Sequence, residues 1–272
     1  MSMYETLLGI DEAKAGDFLD QFEADPYPFY KMMREMGPVV QDPVLGIFHV
    51  TRLDEIEEVF KNPTVFTSEA NAPLVKDYFG VNMLHLDGDA HWRLRGLIAG
   101  SFTPAAIGTY AGNLIEPVCD EVIAQTLTGR KTTELCADFC IAYPLTVIAR
   151  MLNVPMKDYK QFQTWYQQIV AGMNEYPRRG EKHKIGVRAA QEIADFMRPI
   201  VRERMKDPQP TNLIGHLALS TLDGERLSED EVVSFTRQLL FAGAETTQRL
   251  IATTIYGILL TGVKDQVRGN EK

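Results

Sequence analysis

Cysteine, tryptophan and positive charge are all scarce in this chain. Its 272 residues include three cysteines and two tryptophans. Cys119, Cys136 and Cys140 are odd in number and lack C-x-x-C spacing, so neither a disulfide framework nor a zinc site is expected, and the thiols read as those of a reduced, cytoplasmic protein. The formal net charge of -9 argues against non-specific nucleic-acid binding, and no basic stripe with interleaved aromatics is present. No segment reaches the roughly 18 uninterrupted apolar residues of a membrane span. The first 28 residues have no basic start and no apolar run, so neither a membrane anchor nor a secretory signal is expected. Internal repeats and low-complexity linkers are also missing. What is present is an ordinary globular composition, 45% hydrophobic and 24% charged, long enough for a substantial core.

The patterns predict one domain over residues 1–272, mainly α with a minor β element. A short helix from Pro28 to Met36 is stopped by Gly37-Pro38. Val39 to Asp42 and Ile47 to Thr51 read as a hairpin across Pro43 to Gly46. Asp54 to Lys61 is a charged amphipathic helix ended by Asn62-Pro63, and Thr64 to Asp89 reads as a loop. Helices are then expected over Ala90–Phe102, from Pro104 in a first turn to Leu127, and over Ala137–Leu152, Met156–Met173 and Lys184–Lys206. Asp207-Pro208-Gln209-Pro210 breaks the last of these.

The longest predicted helix starts at Ser228-x-x-Glu231, a capping-box pattern with acidic residues in the first turn, and runs to a stop at Gly262. Its apolar residues (Val232, Phe235, Leu239, Leu250, Ile251, Ile255, Ile258) lie on more than one side, which implies burial. Its middle, Phe241-Ala242-Gly243-Ala244-Glu245-Thr246-Thr247, has a glycine, a carboxylate and two hydroxyls where leucines are expected. An interior glycine costs about 1 kcal/mol relative to alanine, and a buried carboxylate costs more unless paired or protonated. Ala242 and Thr246 share a face, and Thr246 can bond the Ala242 carbonyl or release it. Two readings fit. One is a tight helix crossing at small residues. The other is a flat cofactor lying on Ala242 and Gly243, with Glu245 and Thr246 delivering protons.

A second group bears on that choice. His91 and Arg95 are four residues apart in His91-Trp92-Arg93-Leu94-Arg95 and share a helix face. A histidine donor with a guanidinium fork suits a carboxylate, although a solvated cationic face is the simpler reading of this group alone. Beside the small-residue groove, it has the character of a clamp for an acidic, planar cofactor.

With these residues in view, the chain resembles the N-terminal two-thirds of a soluble, bacterial-type cytochrome P-450, a haem-thiolate monooxygenase. The resemblance rests on Asp25 to Val39, Asn62 to Ser68, Leu86 to Arg95, Ser101 to Pro104, and above all Ala242 to Thr247, which fits the family's (A/G)Gx(D/E)T(T/S) motif at every position. It implies that His91 and Arg95 bind haem propionates while Trp92 packs the helix in place. Ala242 and Gly243 would leave room for dioxygen, Glu245 and Thr246 would deliver protons, and Thr247 would be a packing hydroxyl. A small, mostly apolar organic substrate would lie between the long helix, Tyr78, Phe79, Val81 and Met83 of the loop, and Ile169 and Val170. A ferredoxin-type electron donor is implied as partner.

The family's cysteine loop, FxxGxxxCxG, has no counterpart here, and no iron ligand is assigned to Cys119, Cys136 or Cys140. The one E-x-x-R, Glu175 to Arg178, precedes the long helix and contains a proline, unlike the family's pair. The chain is therefore expected to be a C-terminally incomplete cytochrome P-450, with Gly262 to Lys272 as the start of a further helical region. A non-catalytic truncated relative that binds a small molecule or a partner, and a helical regulatory domain unrelated to the family, are the alternatives.

Overall fold

A computed structural model describes residues 25–41, 47–155, 159–175, 179–206 and 212–268. The expected features at 1–24, Asp42, the 43–46 turn, Met156, Tyr176 to Arg178, 207–210 and 269–272 lie outside these residues. The chain folds as two compact units, Met1–Thr67 and Ser68–Lys272.

In the first unit, α1 (Tyr27–Met36) is followed by a hairpin of β1 (Val39–Gln41) and β2 (Phe48–Val50), with Val40 opposite His49, and then by α2 (Leu53–Lys61). The Thr51 hydroxyl donates to the Gly37 carbonyl at 2.7 Å and ties the end of the hairpin to the end of α1.

The second unit is helical. The stretch expected to be a loop contains α3 (Ala72–Phe79), whose first turn accepts Pro73 because that position has no helical acceptor for an N–H. After α4 (Gly88–Ala99), the helix expected from Pro104 to Leu127 is divided into α5 (Pro104–Tyr110), a π-turn at Ala111–Ile115 and α6 (Glu116–Thr126). A second π-turn, Cys136–Cys140, precedes α7 (Ala142–Met151). Both widenings have the same cause. Pro117 and Pro144 have no N–H to donate to residues 113 and 140, so the ladder slips to a wider turn just before each proline. Next come α8 (Tyr159–Asn174), α9 (Glu181–Lys206) and α10 (Leu213–Leu219), the last of which the sequence patterns do not predict. Nor do they predict the hairpin of β3 (Thr221–Leu222) and β4 (Glu225–Arg226). It turns on Asp223 and Gly224, both at positive φ as a type I′ turn requires.

The predicted capping box at the start of α11 (Glu229–Thr261) is present. The Ser228 hydroxyl accepts from the Glu231 N–H, and the Glu231 carboxylate accepts from the Ser228 N–H. At 33 residues the helix is about 50 Å long. It ends at Gly262, whose φ of 70° closes the helix in the left-handed region, and α12 (Lys264–Arg268) follows.

Burial of α11 is uneven. Val232, Phe235, Leu239, Leu240 and Ala244 are buried with residues of α7, α8, α9 and α10 in one core. By contrast Leu250, Tyr256, Leu259 and Leu260 are 65–70% exposed. Apolar character on several sides therefore signals burial only for the first half of the helix among the described residues.

Arg198 and Arg202 of α9 hold Glu229 at the start of α11, with N–O distances of 3.0 and 2.8 Å. Hydrogen bonds from Arg202 and then Arg198 hold the Glu229 carboxyl down to about 2 from an ordinary 4.5. This contribution to stability is complete above pH 4.5 and disappears as the pH falls towards 2. Glu229→Gln is expected to flatten the acid-unfolding profile between those two values and to leave its shape near neutrality unchanged. An unaltered acid limb in circular dichroism would show that the network has no stabilising role.

Candidate functional site

Helix α4 is oriented by Leu94 and Ile98, which are buried in the main core. This leaves Trp92, Arg93 and Arg95 exposed and His91 half-buried. The Nδ1 of His91 lies 3.2 Å from the Met83 carbonyl. A carbonyl can only accept, so Nδ1 carries the proton and Nε2 is the imidazole's second site. Arg95 forms no ion pair among the described residues; its guanidinium lies 5.6 Å from the centre of the Trp92 ring. Trp92, the residue expected to pack the helix in place, is 65% exposed, and its ring supports Arg95 by cation–π attraction. Arg93 is committed elsewhere, to Asp223 at the β3–β4 turn.

On α11 the motif residues point in different directions. Ala244 is fully buried, while Ala242 and Thr246 are exposed one turn apart. The Thr246 hydroxyl donates to the Ala242 carbonyl at 3.1 Å, one of the two states foreseen for it. Glu245 is paired with Arg249, one turn on, at 3.3 Å.

Gly243 is explained by a neighbouring helix. A Cβ there would lie 2.9 Å from Cγ1 and 3.1 Å from Cβ of Ile148 on α7. The tight-crossing reading thus accounts for Gly243, whereas Ala242 and Thr246 lie uncovered on another side of the same helix.

No hydrogen bond or ion pair joins His91 or Arg95 to the Ala242–Thr247 segment among the described residues. The two groups share a core, since Leu94 and Ile98 of α4 belong to the same buried cluster as Leu239 and Ala244 of α11.

Of the residues expected around a substrate, some share one apolar cleft and others do not. Tyr78, Phe79 and Ile169 line an apolar cleft with Leu145, Phe162, Tyr166, Leu240 and Phe241. Val81 is exposed, and Met83 and Val170 pack on the edge of the core. The cleft encloses about 360 Å³, partly open to solvent, but only about 20 Å³ has room for a water-sized sphere. That is space for about one water, because Tyr78 and Phe79 are core residues rather than a mobile rim. The Tyr78 hydroxyl meets Nδ1 of His183 at 3.0 Å, and the ring fits where a Cβ at Gly172 would come within 2.5 Å of that hydroxyl.

Three residues at this site were not foreseen. Tyr166 packs at a tilt against Phe241 and donates to Oε1 of Gln248 at 3.1 Å. Burial, with the Glu245 charge adding to it, pushes its phenol up to about 12, so it stays a protonated donor near neutrality. Arg237 also lines the cleft. Tyr166 and Gln248 carry no distinguishing signal in sequence, whereas an arginine inside the apolar run from Val232 to Phe241 does.

The cysteines lie apart from this site. Cys119 and Cys140 pack in a second cluster around Val118, Val122 and Phe139, and burial pushes both thiols up, away from the thiolate form. No group of three or more His, Cys, Asp or Glu able to hold a metal ion occurs among the described residues. No helix among them is long and apolar enough to cross a membrane.

Comparison with known proteins agrees with this architecture. No protein-family model matches the sequence. A cytochrome P-450 of Bacillus subtilis, YjiB, is 30% identical over 248 residues, covering 90% of this chain and 61% of the relative. Cytochrome P-450(MEG) of Priestia megaterium is 27% identical over 246 residues, covering 87% and 59%. The crystal structure of CYP109E1 from Bacillus megaterium in complex with testosterone superimposes with a TM-score of 0.79 at 26% identity, covering 91% of this chain and 64% of that one. The P-450 BioI structure with an acyl carrier protein bearing hexadec-9Z-enoic acid gives 0.78 at 27% identity, covering 92% and 66%. In sequence and fold the chain is similar to bacterial cytochromes P-450, and it spans about 60% of the length of the curated relatives it matches.

The contact at Gly243 can be tested by a double-mutant cycle. Gly243→Ala alone is expected to cost about 1–3 kcal/mol through overpacking. In an Ile148→Ala background the same change should cost much less, because the obstructing atoms are gone. Equal costs in both backgrounds, measured by denaturant unfolding, would exclude Ile148 as the reason for the glycine.

Proposed function

We propose that this chain carries the dioxygen-activating half of a haem-dependent monooxygenase, which inserts one oxygen atom into a small, mostly apolar organic substrate. Both compact units are read as parts of one cytochrome P-450 domain, working in the cytoplasm with an electron donor such as a ferredoxin. The observation that carries the reading is the division of labour on α11. Gly243 and Ala244 are used up in packing, while Ala242 and Thr246 stay uncovered on a face made of small groups.

The residues present suit haem. Arg95 is exposed, held over Trp92 and without a carboxylate of its own among the described residues. His91, on the same face, has Nδ1 fixed by Met83 and Nε2 left to donate to a propionate when protonated. When bound, haem supplies the iron at which dioxygen is reduced. The protein's part is to position and to move protons. Ala242 keeps the helix surface low. The Thr246 hydroxyl must release the Ala242 carbonyl before its proton can be donated outward. Glu245 exchanges protons with solvent once Arg249 swings away from it, since that pair is solvent-exposed and weak. The iron ligand is not assigned to Cys119, Cys136 or Cys140.

Haem titration of the chain tests this reading. Uptake is expected to be weakened about tenfold or more by Arg95→Ala, the scale of one charge-assisted contact, and further by His91→Ala. The reduced, carbon monoxide-treated form should lack a thiolate-type red shift of its Soret band. No uptake, or uptake indifferent to Arg95, would overturn the clamp, and a thiolate-type band would overturn the statement about the cysteines.

In a catalytically competent form, Thr246→Ala is expected to keep oxygen consumption while lowering the fraction of electrons that reach product. Unchanged coupling would remove Thr246 from proton delivery.

A further inference from the structure

Arg237 lies on the buried half of α11 and lines the apolar cleft with Phe79, Tyr166 and Phe241. A guanidinium has five N–H donors and is permanently charged. Here one nitrogen, Nη1, is shared between the carbonyls of Tyr78 and Ala190, both at 3.3 Å, the far edge of hydrogen-bond range. The Nε is buried with no partner. No carboxylate forms an ion pair with Arg237 among the described residues. Asp195 and Asp230 act on its charge only from a distance, and Asp230 is already bonded to Arg198. Burial pulls the guanidinium below its ordinary range, with the Arg198 charge adding to the effect.

Anchoring the end of α3 explains the Tyr78 contact, because a cation is favourable at a helix C-terminus. It leaves the buried Nε and the missing counter-charge unexplained. A buried cation is retained at little cost only when an anion meets it.

We propose that Arg237 is the anchor for the carboxylate of a slim apolar ligand, whose hydrocarbon part lies along Phe79, Tyr166 and Phe241. This inference rests on the monooxygenase reading and names a substrate class for it. Arg237 and Phe241 are one turn apart on the same face. Thr246 is nine residues further on, roughly 13 Å along the axis. An acid held at Arg237 therefore presents carbons remote from its carboxylate to the Ala242–Thr246 surface. The narrow free space selects a thin chain and requires the aromatic side chains to part as it enters.

The test uses the haem-free chain, so that it does not depend on haem uptake. Decanoate and methyl decanoate, which differ in charge at one end, are titrated while the fluorescence of Trp165 is followed. Trp165 packs edge-on against Phe162 in the wall of the cleft. Decanoate is expected to bind about tenfold or more tightly than the ester, as a charge-assisted contact gives. Arg237→Gln should bring the ratio close to one, and Arg237→Lys should keep part of it. Circular dichroism of each variant checks that the helices persist. Should Arg237→Gln not fold, the wild-type ratio and the Lys variant still decide the matter. Equal affinity for the two probes in the wild type, failure to bind either, or a preference that survives in Arg237→Gln would each overturn the proposal. Loss of haem uptake with the preference intact would instead count against the monooxygenase reading.

Discussion

The contact between Gly243 and Ile148 governs the geometry of the larger unit. It lets α7 approach α11 so closely that no side chain fits between them. The cost of glycine in a helix, about 1 kcal/mol, is offset by burial of apolar side chains such as Leu145 and Ile148, each contributing about 1.5–3 kcal/mol. With α7 on one side and α9 bound to its start through Arg198 and Arg202, the rotation of α11 about its own axis is settled. That rotation determines which motif residues meet solvent. Ala242 and Thr246 do; Ala244 does not.

The same rotation explains why an open face and a packed one coexist in seven residues. Neighbouring positions on a helix point about 100° apart, so Gly243 can serve the crossing while Ala242 serves an open face. The carboxylate of Glu245 avoids a burial penalty because it stays partly exposed and paired with Arg249. Arg237, at the other end of the buried half, is the exception. It carries a charge into the core without an ion-pair partner among the described residues, and this distinguishes the cleft from ordinary packing.

Much of the fold was legible in the sequence. The capping box at Ser228 and Glu231, the stop at Gly262 and the helix carrying His91 and Arg95 are local features, set by hydrogen bonds within a few residues. The helix at Ala72–Phe79 was hidden because its apolar residues sit among small and polar ones, although Pro73 in its first turn was a signal. The Asp223-Gly224 hairpin was similarly marked by a dipeptide suited to positive φ. The two π-turns required seeing that Pro117 and Pro144 each remove a donor from an otherwise continuous helix.

The sequence by itself determined the motif, its spacing from the His91–Arg95 pair, and hence the family resemblance, because these depend on residue identity and on helical period. Only the tertiary structure decided what each small residue is for. It assigned Gly243 to Ile148, set Trp92 at the surface beneath Arg95, and buried Tyr78 and Phe79 in the core. It also left Leu250, Tyr256, Leu259 and Leu260 in the second half of α11 exposed, while Ile251 and Ala252 pack on the Cys140 cluster. The physical reason is that a helical pattern specifies which residues share a face, whereas the partner of that face is chosen by elements far away in the chain.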